Sequence, residues 1–164
     1  MNADVVIIGA GPAGIQAAIH ASRKKVSVVM FGRIDGSAVH GTHVENYFGF
    51  IGMTEGDDML EAGLEQAKSF GCIHRNCNVT STEKIDGGFR ISDEEGETVD
   101  CKAVVIATGI SRAKLNVPGE KELFGKGVSY CASCDCNFYK GRIVTIVGDD
   151  TEAAISAELM TRYA

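Results

Sequence analysis

Two thiols, Cys131 and Cys134, stand in the run Cys131-Ala132-Ser133-Cys134-Asp135, with a carboxylate directly after the second. Cysteines so spaced can close a small disulfide and reopen it by thiol exchange, because the thiolate is the nucleophile and its partner sulfur the leaving group. Asp135 stands where it could supply or accept the proton that such exchange moves. Cys136 follows at once as a third thiol. It reads as an inert small residue, with an extra exchanging thiol or an oxidation target as the alternatives, since one cysteine cannot readily share disulfide geometry with two neighbours. A zinc site would need a second ligand pair some way along the chain. The histidines on offer, His20, His40, His43 and His74, are all distant in sequence, so no metal is assigned.

A second chemical signature lies near the start, in Gly9-Ala10-Gly11-Pro12-Ala13-Gly14. Gly9 permits a tight turn off a strand, Gly11 lets backbone approach a pyrophosphate, and Gly14 lets a helix pack close against the strand. The helix start then offers free N–H groups and a positive dipole end to phosphates. The motif is weak alone and strong in context. An acid that would bind the ribose is expected over residues 30–33, but none stands there before Asp35.

These residues must be carried by ordered elements. Asp4-Val5-Val6-Ile7-Ile8-Gly9 is a continuous β-branched run, which suits a strand buried on both faces. The pattern predicts a helix over 13–23 and another buried strand over 26–31, completing a βαβ unit. Residues 36–56 read as a loop closed by aromatic packing around Glu45-Asn46-Tyr47-Phe48-Gly49. A helix is predicted over 57–70, with Met59, Leu60, Leu64, Ala67 and Phe70 as its core stripe, acids at its start and Gly71 at its stop. Residues 78–102 read as antiparallel strands and turns covering one side of the parallel sheet, with Asp93-Glu94-Glu95 as a solvated turn. A buried strand over 103–107 leads into Ala107-Thr108-Gly109 at the carboxyl edge, where folds of this kind bind ligands. Residues 110–127 form a crossing into a second domain. A strand over 142–147, a turn over 148–153 and a helix over 154–163 then begin a second βαβ unit.

The fold class expected is thus α/β: a doubly wound, Rossmann-like nucleotide domain over 1–115 with an antiparallel insertion, then the start of a second Rossmann-like domain over 116–164. With 45% hydrophobic residues and 23% charged ones the chain is globular, and its formal charge of −6 argues against a general affinity for nucleic acid or anionic membrane. The apolar run at the start is too short to cross a bilayer and lacks a signal-peptide pattern, which makes the cytoplasm the expected setting. Cys72, Cys77 and Cys101 are then expected to be reduced and incidental.

The motifs Gly9 to Gly14, Glu45-Asn46-Tyr47-Phe48-Gly49, Ala107-Thr108-Gly109, Val117-Pro118-Gly119-Glu120 and the stretch from Gly127 through Asp135 occur in the order found in low-molecular-weight thioredoxin reductases. The closing Thr161-Arg162-Tyr163-Ala164 is similar too. The resemblance implies a flavoprotein that carries FAD on its first domain and passes electrons through the cysteine pair to thioredoxin or a related protein. It places Gly9, Gly11, Pro12, Ala13 and Gly14 at the FAD pyrophosphate, and Glu45, Asn46, Ala107, Thr108 and Gly109 around the flavin. Cys134 would face the flavin, Cys131 would attack the partner disulfide, and Asp135 would act as acid and base. A homodimer is one form the assembly could take.

Two departures stand against the family pattern. Asp149-Asp150 falls in the second glycine turn, where a small residue is expected, so either the carboxylates repel the NADPH pyrophosphate or they cap the helix. Ferredoxin or a reduced deazaflavin is then the alternative donor. The later segments that complete both domains in the family are absent, so a non-catalytic or incomplete nucleotide-binding fragment is the competing reading.

Overall fold

The computed structural model describes residues 1–111 and 113–164. Arg112, within the expected crossing, lies outside the described residues. The chain divides into two compact units, the first being Met1–Ser111 and the second ending at Ala164.

In the first unit β1 (Asn2–Ile8), α1 (Pro12–Arg23) and β2 (Val28–Phe31) form the βαβ unit. A short pair, β3 (His43–Val44) and β4 (Thr54–Glu55), brackets the loop before α2 (Gly56–Ser69). The unit continues through β5 (Ile73–Arg75), β6 (Val79–Ile85), β7 (Gly88–Asp93) and β8 (Thr98–Ile106). One six-stranded sheet runs in the order β5-β2-β1-β8-β7-β6. β1 pairs in parallel with β2 and β8, and β2 pairs in parallel with β5. β7 is antiparallel to both β8 and β6.

β1 and β2 have two dry faces, as the alternation of side chains requires, whereas the strand expected to be buried over 103–107 is exposed at Val105 and Ile106. Ile7, Val28 and Met30 point to one side, where Ile15, Ala18 and Ile19 of α1 and Leu60, Leu64 and Ala67 of α2 cover them. Val6, Val29 and Phe31 point to the other side and pack with Ile91, Val99 and Cys101. Each such side chain contributes about 1.5–3 kcal/mol on burial. The antiparallel strands therefore do cover one face. They also share the sheet through β8, whose Thr98–Ile106 span exceeds the strand expected over 103–107.

α1 opens with Pro12 at its first position, whose fixed φ suits a helix start. It packs closely on α2, for a Cβ at Gly63 would stand 2.9 Å from Ile15 Cγ2. Phe70 was expected in the core stripe but sits at the α2 C-cap, 42% exposed, with the Arg23 guanidinium 5.6 Å from its ring centroid. The helix stops there because Gly71, at φ 95°, leaves the helical region.

The expected solvated turn at Asp93 is wrong for its first residue. The Asp93 side chain is fully buried, accepts N–H bonds from Glu95 (3.0 Å) and Glu97 (2.9 Å), and pairs with Arg75 at 3.0 Å. The Cys77 thiol points at the same carboxylate, at 3.5 Å. A turn-forming Asp folds its carboxylate back onto its own backbone, and here that places it under the sheet. Burial opposes ionisation, yet the N–H groups of Glu97 and Glu95, the Cys77 thiol and the Arg75 charge outweigh it and hold the carboxyl below its ordinary range.

The second unit is built differently. It contains α3 (Glu120–Leu123), α4 (Ala132–Asp135), a 3₁₀ turn over Cys136–Tyr139 and α5 (Thr151–Met160). The strand expected over 142–147 is absent among the described residues: Ile143 and Val147 are exposed and join no ladder. A strand of that kind needs a paired neighbour and a covering layer, and the described residues provide neither.

Candidate functional site

The glycine turn lies at the carboxyl edge of the parallel strands. The Gly9 N–H donates to Phe31 C=O at 2.7 Å, and the Ala107 N–H to Ile8 C=O at 2.8 Å, so strand ends and turn are one hydrogen-bonded piece. Gly9 sits at φ 117°, and a Cβ there would lie 2.1 Å from Ala107 O. A Cβ on Gly14 would lie 1.8 Å from Gly9 O. Gly11 is the N-cap of α1, and the nearest atom to a Cβ there would be Ser37 Oγ at 3.3 Å. The first turn of α1 carries no acid, and the side chains of Pro12 and Ala13 there are apolar. The result is a turn of bare backbone, with the Ser37 hydroxyl beside Gly11, of the kind that suits a pyrophosphate and that side chains at the three glycines would fill.

Around that edge, Thr108 and Gly109 are exposed and Ala107 is half-buried. Glu45 and Asn46 are exposed in the loop between β3 and β4. That loop is not closed by aromatic packing as expected. Tyr47 and Phe50 rings lie 6.3 Å apart, but Phe48 is 99% exposed. Beyond the turn, a hollow of about 430 Å³ is lined by Asp35, His40, Asp57, Glu61 and His74 among others. His40 Nδ1 stands 2.7 Å from Asp57, and Asp57 also accepts the Gly41 N–H, tying the loop to the start of α2. The residues after β2 are Gly32 and Arg33; Arg33 is ion-paired with Glu94.

In the second unit Cys131 and Cys134 are joined as a disulfide, with their Cα atoms 5.2 Å apart. Cys131 is the N-cap of α4, and its carbonyl accepts the N–H groups of Cys134 and Asp135, each at 3.1 Å. Cys134 is exposed and Cys131 half-buried. Asp135 is half-buried, and its Oδ2 accepts the Ser129 hydroxyl at 2.6 Å. Ser129 Oγ in turn accepts the Cys131 N–H at 3.1 Å. Ser129 was visible in sequence only as part of a motif, with no role of its own.

The segment before the disulfide is anchored by Glu120. Its carboxylate accepts the Leu115 and Val117 N–H groups, each at 3.2 Å, and the Tyr130 hydroxyl. The Tyr130 bond, aided by N–H groups of Val117, Asn116 and Leu115, keeps the Glu120 carboxyl below its ordinary range against its burial. The same bond raises the Tyr130 phenol. The sequence signal for this anchor was Pro118-Gly119-Glu120: Gly119, at φ 86°, turns the chain into α3.

Cys136 is buried, 6% exposed, with its thiol directed at Ser133 C=O at 3.8 Å. Cys72, Cys77 and Cys101 are free and buried, and burial pushes all three thiols up. Cys77 is not incidental, since it joins the Asp93 network. Asp150 caps α5, accepting the Ala153 N–H at 2.8 Å.

The sequence pattern of the pyridine nucleotide-disulphide oxidoreductases matches residues 3–149. A thioredoxin reductase of Bacillus subtilis (strain 168) is 41% identical over 164 residues, 98% of this chain and 51% of that protein. A bifunctional thioredoxin reductase/thioredoxin of Mycobacterium leprae (strain TN) is 36% identical, over 98% of this chain and 36% of that protein. Among solved structures, the thioredoxin reductase of Streptococcus pyogenes MGAS5005 matches with a TM-score of 0.92 at 31% identity, over 99% of this chain and 53% of that one. That of Giardia duodenalis matches with a TM-score of 0.90 at 34% identity, over 99% and 53%. The chain spans about half the length of the curated thioredoxin reductases it matches. No helix among the described residues is long and apolar enough to cross a membrane.

Proposed function

This chain belongs to the pyridine nucleotide-disulphide oxidoreductase family, and we propose that it works there as part of a flavin-dependent disulfide reductase acting on thioredoxin or a thioredoxin-like protein. The observation that carries the reading is the Cys131–Cys134 disulfide with Asp135 tied to it through Ser129. Residues 1–115 are read as the nucleotide-binding portion, and 116–164 as the start of the redox-active domain, working in the cytoplasm.

FAD fits the first unit. Gly9, Gly11, Pro12, Ala13 and Gly14 would hold its pyrophosphate in the backbone cradle, and Glu45, Asn46, Ala107, Thr108 and Gly109 would flank the remainder. When bound, FAD supplies a two-electron store for reducing the disulfide. Reduction breaks the Cys131–Cys134 bond and leaves two thiols, Cys134 on the cofactor side and Cys131 on the partner side. Asp135 takes the Cys131 proton, and the thiolate attacks one sulfur of the partner disulfide. That bond breaks, a mixed disulfide forms, and the departing partner thiolate receives the proton from Asp135. Cys134, losing its own proton, then attacks Cys131 sulfur. The Cys131–Cys134 disulfide re-forms and the second partner thiol leaves protonated. Two electrons and two protons have moved to the partner.

A second reading concerns the donor. The Asp150 carboxylate occupies an N–H of the α5 start, the place where a nicotinamide dinucleotide would bring its pyrophosphate. That favours ferredoxin or a reduced deazaflavin over NADPH. The test is to add FAD to the purified protein and follow the flavin band and the thiol content under anaerobic reduction. A yellow protein that gains two thiols per flavin reduced supports the enzyme. A protein that stays colourless with added FAD overturns it in favour of a non-catalytic nucleotide-binding piece.

A further inference from the structure

The hydroxyl of Ser129 stands between two groups of the redox centre: it accepts from the Cys131 N–H at 3.1 Å and donates to Asp135 Oδ2 at 2.6 Å. A 2.6 Å O–H···O contact to a carboxylate is in the range of strong, charge-assisted bonds. The backbone closes a second link between the same residues, since the Asp135 N–H donates to Cys131 C=O at 3.1 Å. Cys131 and Asp135 are thus held to one another twice, once by main chain and once through this side chain. The main-chain link fixes where Asp135 begins. Among the described residues, the Ser129 hydroxyl is the side-chain donor that sets which way its carboxylate turns.

We propose that Ser129 is the positioning residue that aims the Asp135 carboxylate at the exchanging sulfur of Cys131, a role that rests on the disulfide-exchange reading of this site. With Oδ2 held by the hydroxyl, Oδ1 is the oxygen that takes the Cys131 proton when the thiolate forms and returns it to the departing thiolate after the partner bond breaks. Ser129 itself gains and loses no proton in the cycle. Its effect is on geometry: a carboxylate free to rotate about χ1 and χ2 spends much of its time out of reach of the sulfur, and proton transfer falls with that fraction. Neither Ser129 bond involves a sulfur, so opening the Cys131–Cys134 bond removes neither of them directly.

The test uses the reduced protein and a small aromatic disulfide whose cleavage is coloured, so it needs neither bound FAD nor thioredoxin. Ser129→Ala should slow exchange at Cys131 by roughly tenfold or more, the effect expected when a hydrogen bond to a charged group is removed. The pair Ser129→Thr and Ser129→Val, alike in shape, separates hydroxyl from packing: threonine should restore the rate and valine should not. In an Asp135→Asn background the Ser129→Ala change should lose most of its effect, because the route through the carboxylate is gone and only the bond to the Cys131 N–H remains to be removed. Equal rates for the threonine and valine variants overturn the proposal, as does a full additional loss in the Asp135→Asn background. Should Ser129→Ala fail to fold, the threonine and valine pair decides alone. Because the readout bypasses the flavin, a protein that fails to bind FAD defeats the reductase reading and still leaves the Ser129 result legible.

Discussion

At Gly9 and Gly14 of the first unit, backbone atoms stand 2.1 and 1.8 Å from where a Cβ would be, whereas around the disulfide of the second unit position is set by the side-chain bonds of Ser129, Glu120 and Tyr130. The packing behind the two sites differs in the same sense. Among the described residues, every buried hydrophobic except Cys136 and Met160 lies in the first unit. A phosphate cradle made of N–H groups works only where strands and helix hold the backbone still. On the proposed reading the disulfide has to be reached by a protein and to open and close, so local bonds that involve neither sulfur suit it better than a core. One site is therefore specified by exclusion and the other by attachment.

If that contrast is right, the two sites fail in different ways, and the largest effect is chemical. Cys134→Ser should reduce electron flow from flavin to disulfide to background while leaving the unfolding of the first unit unchanged. Cys131→Ser should keep a thiolate on the cofactor side, seen as a long-wavelength absorbance band with FAD bound, and block only partner reduction. The band in Cys134→Ser and its absence in Cys131→Ser would reverse the two roles.

Next in size is the steric site. Gly14→Ala drives a methyl into Gly9 O, which cannot yield without moving the strand end, so urea unfolding should show a loss of about 3 kcal/mol. Gly11→Ala meets only the Ser37 hydroxyl at 3.3 Å. It should cost under about 1 kcal/mol and, on the proposed reading, still weaken FAD binding at least about tenfold, because the methyl would stand where the pyrophosphate would approach. Equal destabilisation by both changes would break the distinction between a packing glycine and an approach glycine.

Each unit also organises a turn around one buried carboxylate, Asp93 in the first and Glu120 in the second. Both are held below their ordinary range, Asp93 against its burial and Glu120 chiefly by the Tyr130 hydroxyl. The stability each contributes is present above the unfolded carboxylate value, about 4, and is lost as pH falls through the lower folded value. Asp93→Asn should flatten the acid limb of the melting temperature of the first unit and lower it by several degrees at neutral pH. Glu120→Gln should instead bring the Tyr130 phenol back toward its ordinary value, read by phenolate absorbance, with little change in the first unit. A drop in the first unit's melting temperature from Glu120→Gln as large as that from Asp93→Asn would break the contrast between the two carboxylates.

Much of this contrast could be read before the fold was known. The β-branched runs, the glycine spacing and the cysteine pair each follow from short-range rules, so β1, α1, β2 and the disulfide stretch stood out at once. What escaped depended on distant partners. Asp93 looks solvated beside Glu94 and Glu95, because nothing local shows that Arg75 and Cys77 will close over it. Residues 142–147 have the composition of a buried strand, yet composition cannot provide a neighbour to pair with. Ser129 escaped for a smaller reason: a serine two residues before a cysteine is ordinary, and its meaning lies in a hydroxyl that reaches Asp135 across a turn.

The smallest expected effect tests attachment at its weakest point. Asp150 holds the start of α5 by one bond to Ala153 N–H, and Gly148 lies close behind, where a Cβ would meet Ala153 Cβ at 2.6 Å. Asp150→Ala should cost about 1 kcal/mol of helix stability, the usual worth of an N-cap, seen as a small loss of helical signal in the second unit. The same change removes a negative charge from the place a dinucleotide phosphate would occupy, so bleaching of bound FAD by NADPH should speed up. Fast bleaching of the unaltered protein by NADPH would show that the carboxylate is only a cap and does not turn that donor away. Slow bleaching that Asp150→Ala relieves would mean that one side chain both holds the helix and chooses the source of the electrons.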